Sequence, residues 1–407
     1  MKIIRPNSKQ LEKIYARGFV RPRRIEERVR KIIEDVRQFG DEALVKYTKK
    51  FDGVKLTPRQ LKVTQNEISG AYQNITPNFV SSLKVIIDNI NRFYRKAIKK
   101  SWKIRDADGA VVGETYKPLE RVGVYIPAGT APLVSCVYMT VLPAKIAGVK
   151  KIALISPPNA QGFVNPHILV VADLLKVDEI YRVGGAQGIA ALAYGTKTVP
   201  RVDKIVGPGN IYVSEAKRQV FGCVDIDMIA GPTELVIIAN RYSDPKFIVA
   251  DLKAQAEHSG GLAILITNSK KIAKEVKVQT VDCNGFIILT ENLSQAVEIV
   301  NRIAPEHLEI LVKNPQELMR GIKNAGAIFL GPYSPTAVGD YVAGPSHVLP
   351  TAGTARFFSG LSVCDFIKSN HIISYTKKAL EKIKEPLEKI AHIEGLDKHL
   401  DSVKVRF

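Results

Sequence analysis

Two stretches of this chain alternate short apolar runs with segments of helical pattern, and that alternation restricts the fold more than any other feature. In the first stretch the runs are 122-VGVYIP-127, 151-KIALISP-157, 179-EIYRVGG-185 and 203-DKIVGPG-209. Between them lie helical segments containing Pro143-Ala144-Lys145, 168-ILVVADLL-175 and 189-IAALAYG-195. The second stretch starts at 231-GPTELVIIA-239. Its strand candidates are 263-AILIT-267, 285-GFIIL-289, 309-EILV-312 and 327-AIFLG-331, with helices such as 292-NLSQAVEIVNRIA-304 between. Runs that are short and continuously apolar are buried on both faces, and helical connections make neighbouring strands parallel. The expected fold class is therefore α/β, with two Rossmann-like parallel-sheet domains.

Residues 1 to about 100 read as helices. Ser8 is placed to cap a short helix ending near Gly18, and helical periodicity runs from Arg24 to Lys50 with a break at Gly40. After Thr76-Pro77, residues Val80, Leu83, Ile86, Ile87, Ile90 and Phe93 form an apolar stripe at helical spacing, which is core. From about residue 362 the chain is charged and helical, a tail that packs on something else, such as a second subunit. The expected division is a 1–19 arm, a first α/β domain of 20–122 plus 234–361, a second Rossmann-like domain of 123–233, and a 362–407 dimerisation tail.

The 407 residues suffice for a large core, and 45% apolar with 24% charged residues is ordinary soluble composition. No apolar run reaches membrane-spanning length and the first residues resemble no signal peptide, so a cytoplasmic protein without membrane contact is expected. The net charge of +19 raises the question of nucleic acid. However, the basic residues are interleaved with acidic ones in helical patterns such as 21-RPRRIEERVRKIIEDVRQFG-40, and no nucleic-acid-binding signature accompanies them. Cys136, Cys223, Cys283 and Cys364 lie far apart with no CxxC pair, which argues against disulfides and a Cys-ligated metal. Each is expected to be a small buried hydrophobe.

Polar residues gather in a few segments. In 301-NRIAPEHLEI-310 the adjacent Glu306 and His307 supply two proton-transfer groups, expected on a loop because of Pro305. In 251-DLKAQAEHSGG-261, Gln255 and His258 are three apart on a helix expected to end at Gly260-Gly261, a spacing that suits one metal ion or a polar helix end. The segment 331-GPYSPTAVGDYVAGPSHVLPTAGTARF-357 holds Asp340, His347 and Arg356, and its Tyr333, Val338, Tyr341, Val348 and Leu349 would make a poor solvated linker. Near the C-terminus, 394-EGLDKH-399 is either a capped turn or an exposed tail. Four of the seven histidines fall in these segments, and imidazole with carboxylate and amide oxygen is a plausible zinc set. In 184-GGAQGIAAL-192 and 207-GPGNIYV-213, glycines stand at strand-to-helix turns beside Gln187 and Asn210, as a phosphate cradle or a packing turn requires.

Together these segments resemble the histidinol dehydrogenase family, the enzymes of the last two steps of histidine biosynthesis. The resemblance runs from about Arg23 to Leu400 and is carried by RVGVYIP, GGAQGIAALAYGT, KIVGPGN, AGPTE, QAEH, APEHLE, GPYSPTAVGDYVAGPSHVLPT and EGLDKH. It implies NAD-dependent oxidation of L-histidinol to L-histidine through the aldehyde, with two NAD consumed per turnover and one zinc per subunit. By the same resemblance Gln255, His258, Asp340 and His399 hold zinc, and Glu306 and His307 transfer protons. Thr233, His347 and Glu394 lie near substrate together with the zinc and proton-transfer residues, and Tyr125, Gln187 and Asn210 contact NAD. It also implies a homodimer in which the C-terminal tail, with Glu394 and His399, completes the partner's site.

Thr233 stands where serine is common in the family, Ser346 where asparagine is, and Phe358-Ser359-Gly360 replaces a stretch of small residues. These departures bear on substrate contacts. Two other readings remain: a related zinc- and NAD-dependent dehydrogenase of another small polar alcohol, and a non-catalytic zinc-dependent dimer or basic binding protein.

Overall fold

The computed structural model describes residues 1–18, 22–129, 131–258 and 260–407. Its strands are β1 (Lys2–Ile4), β2 (Trp102–Arg105), β3 (Val111–Pro118), β4 (Arg121–Tyr125), β5 (Lys151–Ile155), β6 (Glu179–Tyr181), β7 (Lys204–Val206), β8 (Asp225–Ile226), β9 (Glu234–Ala239), β10 (Leu262–Thr267), β11 (Gly285–Leu289), β12 (His307–Ile310), β13 (Ala327–Leu330) and β14 (Ile367–Ser374). The described chain divides into two compact units. One is Met1–Ala97 with Leu119–Phe366, the other Ile98–Pro118 with Ile367–Phe407.

Both predicted parallel sheets are present, and both lie in the first unit. The five-stranded sheet has the order β6-β5-β4-β7-β8 and the six-stranded sheet the order β1-β11-β10-β9-β12-β13, with every pair parallel. Setting β1 aside, the two follow the same path: the first strand is central, two are added on one side, then two on the other. This is the doubly wound order, whose crevice opens where the winding reverses, between β4 and β7 and between β9 and β12.

Side chains alternate across each sheet. Val122, Val124, Ile152 and Leu154 face one side of the smaller sheet, into a core closed by helices Gln65–Ala71, Pro77–Tyr94, Val134–Ala147 and Pro166–Leu174. Tyr125, Ala153, Ile155 and Ile205 face the other side, covered by helices Arg23–Phe39, Asp41–Asp52, Gly185–Tyr194 and Ile211–Val220. In the larger sheet, Leu235, Ile237 and Leu265 pack under helices Pro245–Ala256 and Lys270–Gln279, while Val236, Ile238, Leu308 and Ile310 pack against helices Lys9–Tyr15 and Leu293–Ile303.

Three features differ from expectation. The N-terminal helices, which were grouped with residues 234–361, pack on the five-stranded sheet instead. An apolar stripe shows that a helix has a buried face but not which sheet covers it. Lys2–Ile4, inside the region read as helical, is an edge strand paired with β11. Three residues are too few to show a period. The expected boundary at Phe19 and Val20 falls outside the described residues.

The C-terminal segment is not wholly helical. Val363 and Phe366 are buried in the first unit, and β14 follows as a full strand. In the second unit β14 pairs antiparallel with β3, and β3 with β2. Every residue of β2 and six of the eight in β14 are exposed, so no in–out alternation marks these strands in the sequence. Helices Lys377–Lys382, Lys384–Ile393 and Asp397–Lys404 complete the unit. No helix among the described residues is long and apolar enough to cross a membrane.

Candidate active site

Helix Leu293–Ile303 ends at Ala304, a non-glycine residue in the left-handed region with φ 50° and ψ 63°. Such a residue needs its surroundings to hold it, and strain of this kind clusters at functional sites. The turn delivers Pro305 and Glu306 to the amino end of β12, which begins at His307. The pair is therefore not on an exposed loop. Glu306 and His307 are 6% and 4% exposed, beside the central strand β9.

Glu306 accepts a hydrogen bond from the Glu234 amide at 3.0 Å and is also bonded by the Thr233 side chain. Burial pushes its carboxyl up to about 7, against the pull of His307. The His307 ring donates from Nδ1 to the Glu234 carbonyl at 3.1 Å, and the same nitrogen lies 3.6 Å from Glu306 Oε2. A carbonyl only accepts, so this bond places a proton on Nδ1 and leaves Nε2 as the working nitrogen. Nε2 lies 3.4 Å from Asp340 Oδ1 and has no hydrogen-bond partner. Burial opposes a charge on His307, but Glu306 and Asp340 outweigh it and raise the imidazole to about 9.

Asp340 sits on helix Thr336–Tyr341 within the Gly- and Pro-rich segment. Its backbone carbonyl accepts from His347 Nδ1 at 2.9 Å, and His347 Nε2 lies 3.3 Å from Cys136 Sγ. Burial lowers the His347 imidazole. Cys136 belongs to helix Val134–Ala147, which follows β4, so this contact joins the smaller sheet's connections to Asp340. In the same segment Val348 and Leu349 are buried, but Tyr333, Val338 and Tyr341 are exposed, contrary to expectation. Cys223 and Cys364 are likewise exposed, while Cys136 and Cys283 are buried as expected.

Gln255 is buried in the last turn of helix Pro245–Ala256. The helix stops before Gly260-Gly261, and His258 lies beyond it, exposed, in a turn closed by Gly261 N to His258 O at 2.9 Å. The two do not share a helical face. Residue 259 lies outside the described residues. Gln255 Nε2 is buried without a partner, and a half-turn of the amide puts its oxygen there. Among the described residues no three His, Cys, Asp or Glu side chains converge on a point that could hold a metal ion. The donor atoms of Gln255, His258 and Asp340 are of the oxygen and nitrogen kinds zinc takes, and three residues would leave the usual tetrahedral set one donor short. Glu394 and His399 are exposed in the second unit, Glu394 capping helix Lys384–Ile393 and His399 on helix Asp397–Lys404.

The carboxyl ends of β4, β6 and β7 carry the other predicted residues. Tyr125 ends β4 and its hydroxyl accepts from the Gly185 amide at 3.3 Å. Gln187 is 1% exposed, in the first turn of helix Gly185–Tyr194, and its Oε1 is buried with no partner. Asn210 caps helix Ile211–Val220, accepting from the amides of Tyr212 and Val213 at 3.0 and 3.1 Å. Gly207 has φ +114°, and a Cβ there would stand 2.2 Å from the Tyr125 carbonyl. An orphaned amide oxygen beside two helix N-termini and close-packed glycines at a switch point fits a dinucleotide.

Sequence reasoning missed the residues behind this constellation. Arg17 grips Glu234 with two bonds, at 2.5 and 2.7 Å, so that the Glu234 backbone is held where Glu306 and His307 use it. Lys217 and Asp227 form a buried ion pair that bonds both the carbonyl and the amide of Gly207. Nothing local marks either pair, because their partners are distant in sequence or on another element.

The profile of the histidinol dehydrogenase family matches residues 16–407. A histidinol dehydrogenase of Clostridium acetobutylicum is 50% identical over 396 residues, covering 93% of this chain and 91% of that protein. One of Bacillus thuringiensis is 46% identical over 424 aligned positions, covering 100% and 96%. The crystal structure of histidinol dehydrogenase from Elizabethkingia anophelis superimposes with a TM-score of 0.94 at 34% identity, over 100% of this chain and 98% of that one.

Proposed function

This chain belongs to the histidinol dehydrogenase family of oxidoreductases, and from that premise we propose that it oxidises L-histidinol to L-histidine through L-histidinal, with two NAD as hydride acceptors and one zinc per subunit. The observation that carries this reading is the buried His307, with Nδ1 fixed on a carbonyl and Nε2 open beside Asp340, next to the buried acid Glu306.

In the first oxidation His307 Nε2 takes the hydroxyl proton as hydride leaves the carbinol carbon for NAD. Glu306, ionised, then takes a proton from water as it adds to the aldehyde, and His307 returns its proton to the former carbonyl oxygen, which completes the hydrate and frees Nε2. In the second oxidation His307 takes a proton from the hydrate as the second hydride leaves, giving the carboxylate. The two hydrides account for the four electrons. Keeping the aldehyde bound lets one proton-transfer pair serve both steps.

Gln255, His258 and Asp340, with His399 of a second copy, are the proposed zinc ligands. Bound zinc would anchor the imidazole and amine nitrogens of histidinol and so align the carbinol with the base. Thr233, His347 and the second copy's Glu394 are proposed to line the substrate, and Tyr125, Gln187 and Asn210 to bind NAD.

The homodimer reading is supported by the second unit. Its buried apolar side chains are few, Ala110, Ala379, Ala391 and Leu400 among the described residues, whereas Ile373, Ile393 and Val405 are 74%, 79% and 79% exposed. A unit that cannot bury its own apolar surface needs another surface to cover it. We place the protein in the cytoplasm, as a biosynthetic enzyme.

The test counts NADH formed per L-histidinol with excess NAD, before and after chelator treatment. Two NADH per histidinol, lost with chelator and restored by zinc, supports the whole reading. One NADH per histidinol would remove the second oxidation, and chelator-resistant turnover would remove zinc.

A further inference from the structure

Glu309 is wholly buried in β12, yet no step above uses it. It lies two residues beyond His307, on the same face of the sheet. One oxygen is well served: Oε1 accepts from the Thr336 amide at 2.8 Å and the Thr336 hydroxyl at 2.6 Å. The other, Oε2, is buried with no hydrogen-bond donor in reach. The group that faces it is the Asp251 carboxyl, from helix Pro245–Ala256. Two carboxylates cannot bond one another, whereas a carboxylic acid and a carboxylate can. The in-register neighbours on β9 and β13 are Ile237 and Phe329, which are uncharged, and helix Thr336–Tyr341 contributes the two Thr336 donors.

The position of this pair gives it a consequence. Asp251 is one helical turn from Gln255, and Thr336 is one turn from Asp340. Glu309 thus meets helix Pro245–Ala256 at Asp251, mid-helix, and helix Thr336–Tyr341 at its first residue. We propose that Glu309 and Asp251 hold one proton between them, and that this acid pair ties helix Pro245–Ala256 to helix Thr336–Tyr341 at the separation Gln255 and Asp340 require. The second half rests on the reading of those two residues as zinc ligands. Glu309 and Asp251 are positioning residues and touch no substrate. Burial and the Asp251 charge push the Glu309 carboxyl up to about 8, and burial raises Asp251 as well, in keeping with a retained proton at neutral pH.

The amide variants separate this pair from a merely structural one. In Glu309→Gln the amide oxygen keeps the Thr336 bonds and the amide nitrogen donates to ionised Asp251. Asp251→Asn donates the other way. Both retain the tie without the shared proton, whereas Glu309→Ala removes the tie.

The full-length protein is compared by infrared spectroscopy at pH 7 and by zinc content after dialysis against a competing chelator. The expected result is that wild type shows a protonated-carboxyl band, that Glu309→Gln and Asp251→Asn each lose the same component of it, and that both keep their zinc. Glu309→Ala is expected to lose zinc affinity by about tenfold or more, as when a group orienting a ligand is removed. A band unchanged in either amide variant overturns the shared proton, and full zinc retention by a folded Glu309→Ala overturns the tie. If wild type itself takes up no zinc, the metal reading fails and the tie to its ligands fails with it, while the infrared comparison still decides the shared proton.

Discussion

His307 Nε2 stands 3.4 Å from Asp340 Oδ1, so the group proposed to move protons and a group proposed to hold zinc face one another directly. They come from different elements, the amino end of a central strand and a short helix that follows the last strand of the same sheet. The Glu234 carbonyl fixes the other face of the ring, and Arg17 fixes Glu234. The base is thus oriented by buried bonds before substrate arrives, which is the arrangement that makes proton transfer efficient.

Glu306→Gln is expected to slow the aldehyde-to-acid oxidation by about 10²–10⁴-fold, the usual worth of general-base assistance, and the alcohol oxidation by much less. The amide keeps an oxygen to accept from the Glu234 amide but cannot take a proton from water. Single-turnover NADH formation from L-histidinol and from L-histidinal separates the two rates. Equal losses would sink the division of labour between Glu306 and His307.

The pH dependence follows from the same carboxyl. Its folded value is raised to about 7 from an ordinary 4.5, chiefly by burial. As a base it must be ionised, so oxidation of the aldehyde should rise with pH through about 7 and, because His307 must also be neutral to take its proton, again through about 9 before it levels. Its effect on stability has the opposite sign. The folded state holds this proton more tightly than the unfolded state, so the contribution is complete at low pH, declines as pH rises from the ordinary value, and is gone above about 7. Glu306→Gln should remove both the lower kinetic limb and this part of the melting-temperature slope. A wild-type aldehyde rate that is flat from pH 6 to pH 8 would count against Glu306 as the base.

Lys217→Met is expected to destabilise the protein by about 3–5 kcal/mol, because it leaves a buried carboxylate without its cation. Lys217 and Asp227 are 2% and 7% exposed. Their bonds to Gly207 also hold the turn that leads to Asn210, so KM for NAD should rise more than KM for histidinol. Denaturant midpoints and separate KM values check both. An unchanged midpoint would show that the pair carries no such load.

Shared sites make a distinctive mixture. Asp340→Asn and His399→Ala are each expected to be inactive alone. Co-expressed, they form mixed dimers in which one site has both defects and the other none, giving about a quarter of wild-type activity if pairing is random. No recovery in isolated mixed dimers would show that His399 serves its own chain or no site at all.

All strands of the two parallel sheets except the short edge strands β1 and β8 were legible as short, largely apolar runs, as in 234-ELVIIA-239. Helix starts at Ser8, Thr76 and Asn210 were legible because a cap is a bond between residues two or three apart. The polar motifs identified the family and the residues that match its site. Tertiary structure alone decided the rest. It buried Glu306, in the turn before β12, and made His307 the first residue of that strand. It sent the N-terminal helices to the smaller sheet, and made an exposed, unpatterned segment into β14. It also supplied Arg17, Glu309 and Asp251 as supports. The physical reason is range: propensity, capping and periodicity act within a few residues, and those the sequence determined. Which sheet covers a helix, which strand pairs with which, and which buried charge finds which partner depend on contacts between residues up to hundreds of positions apart.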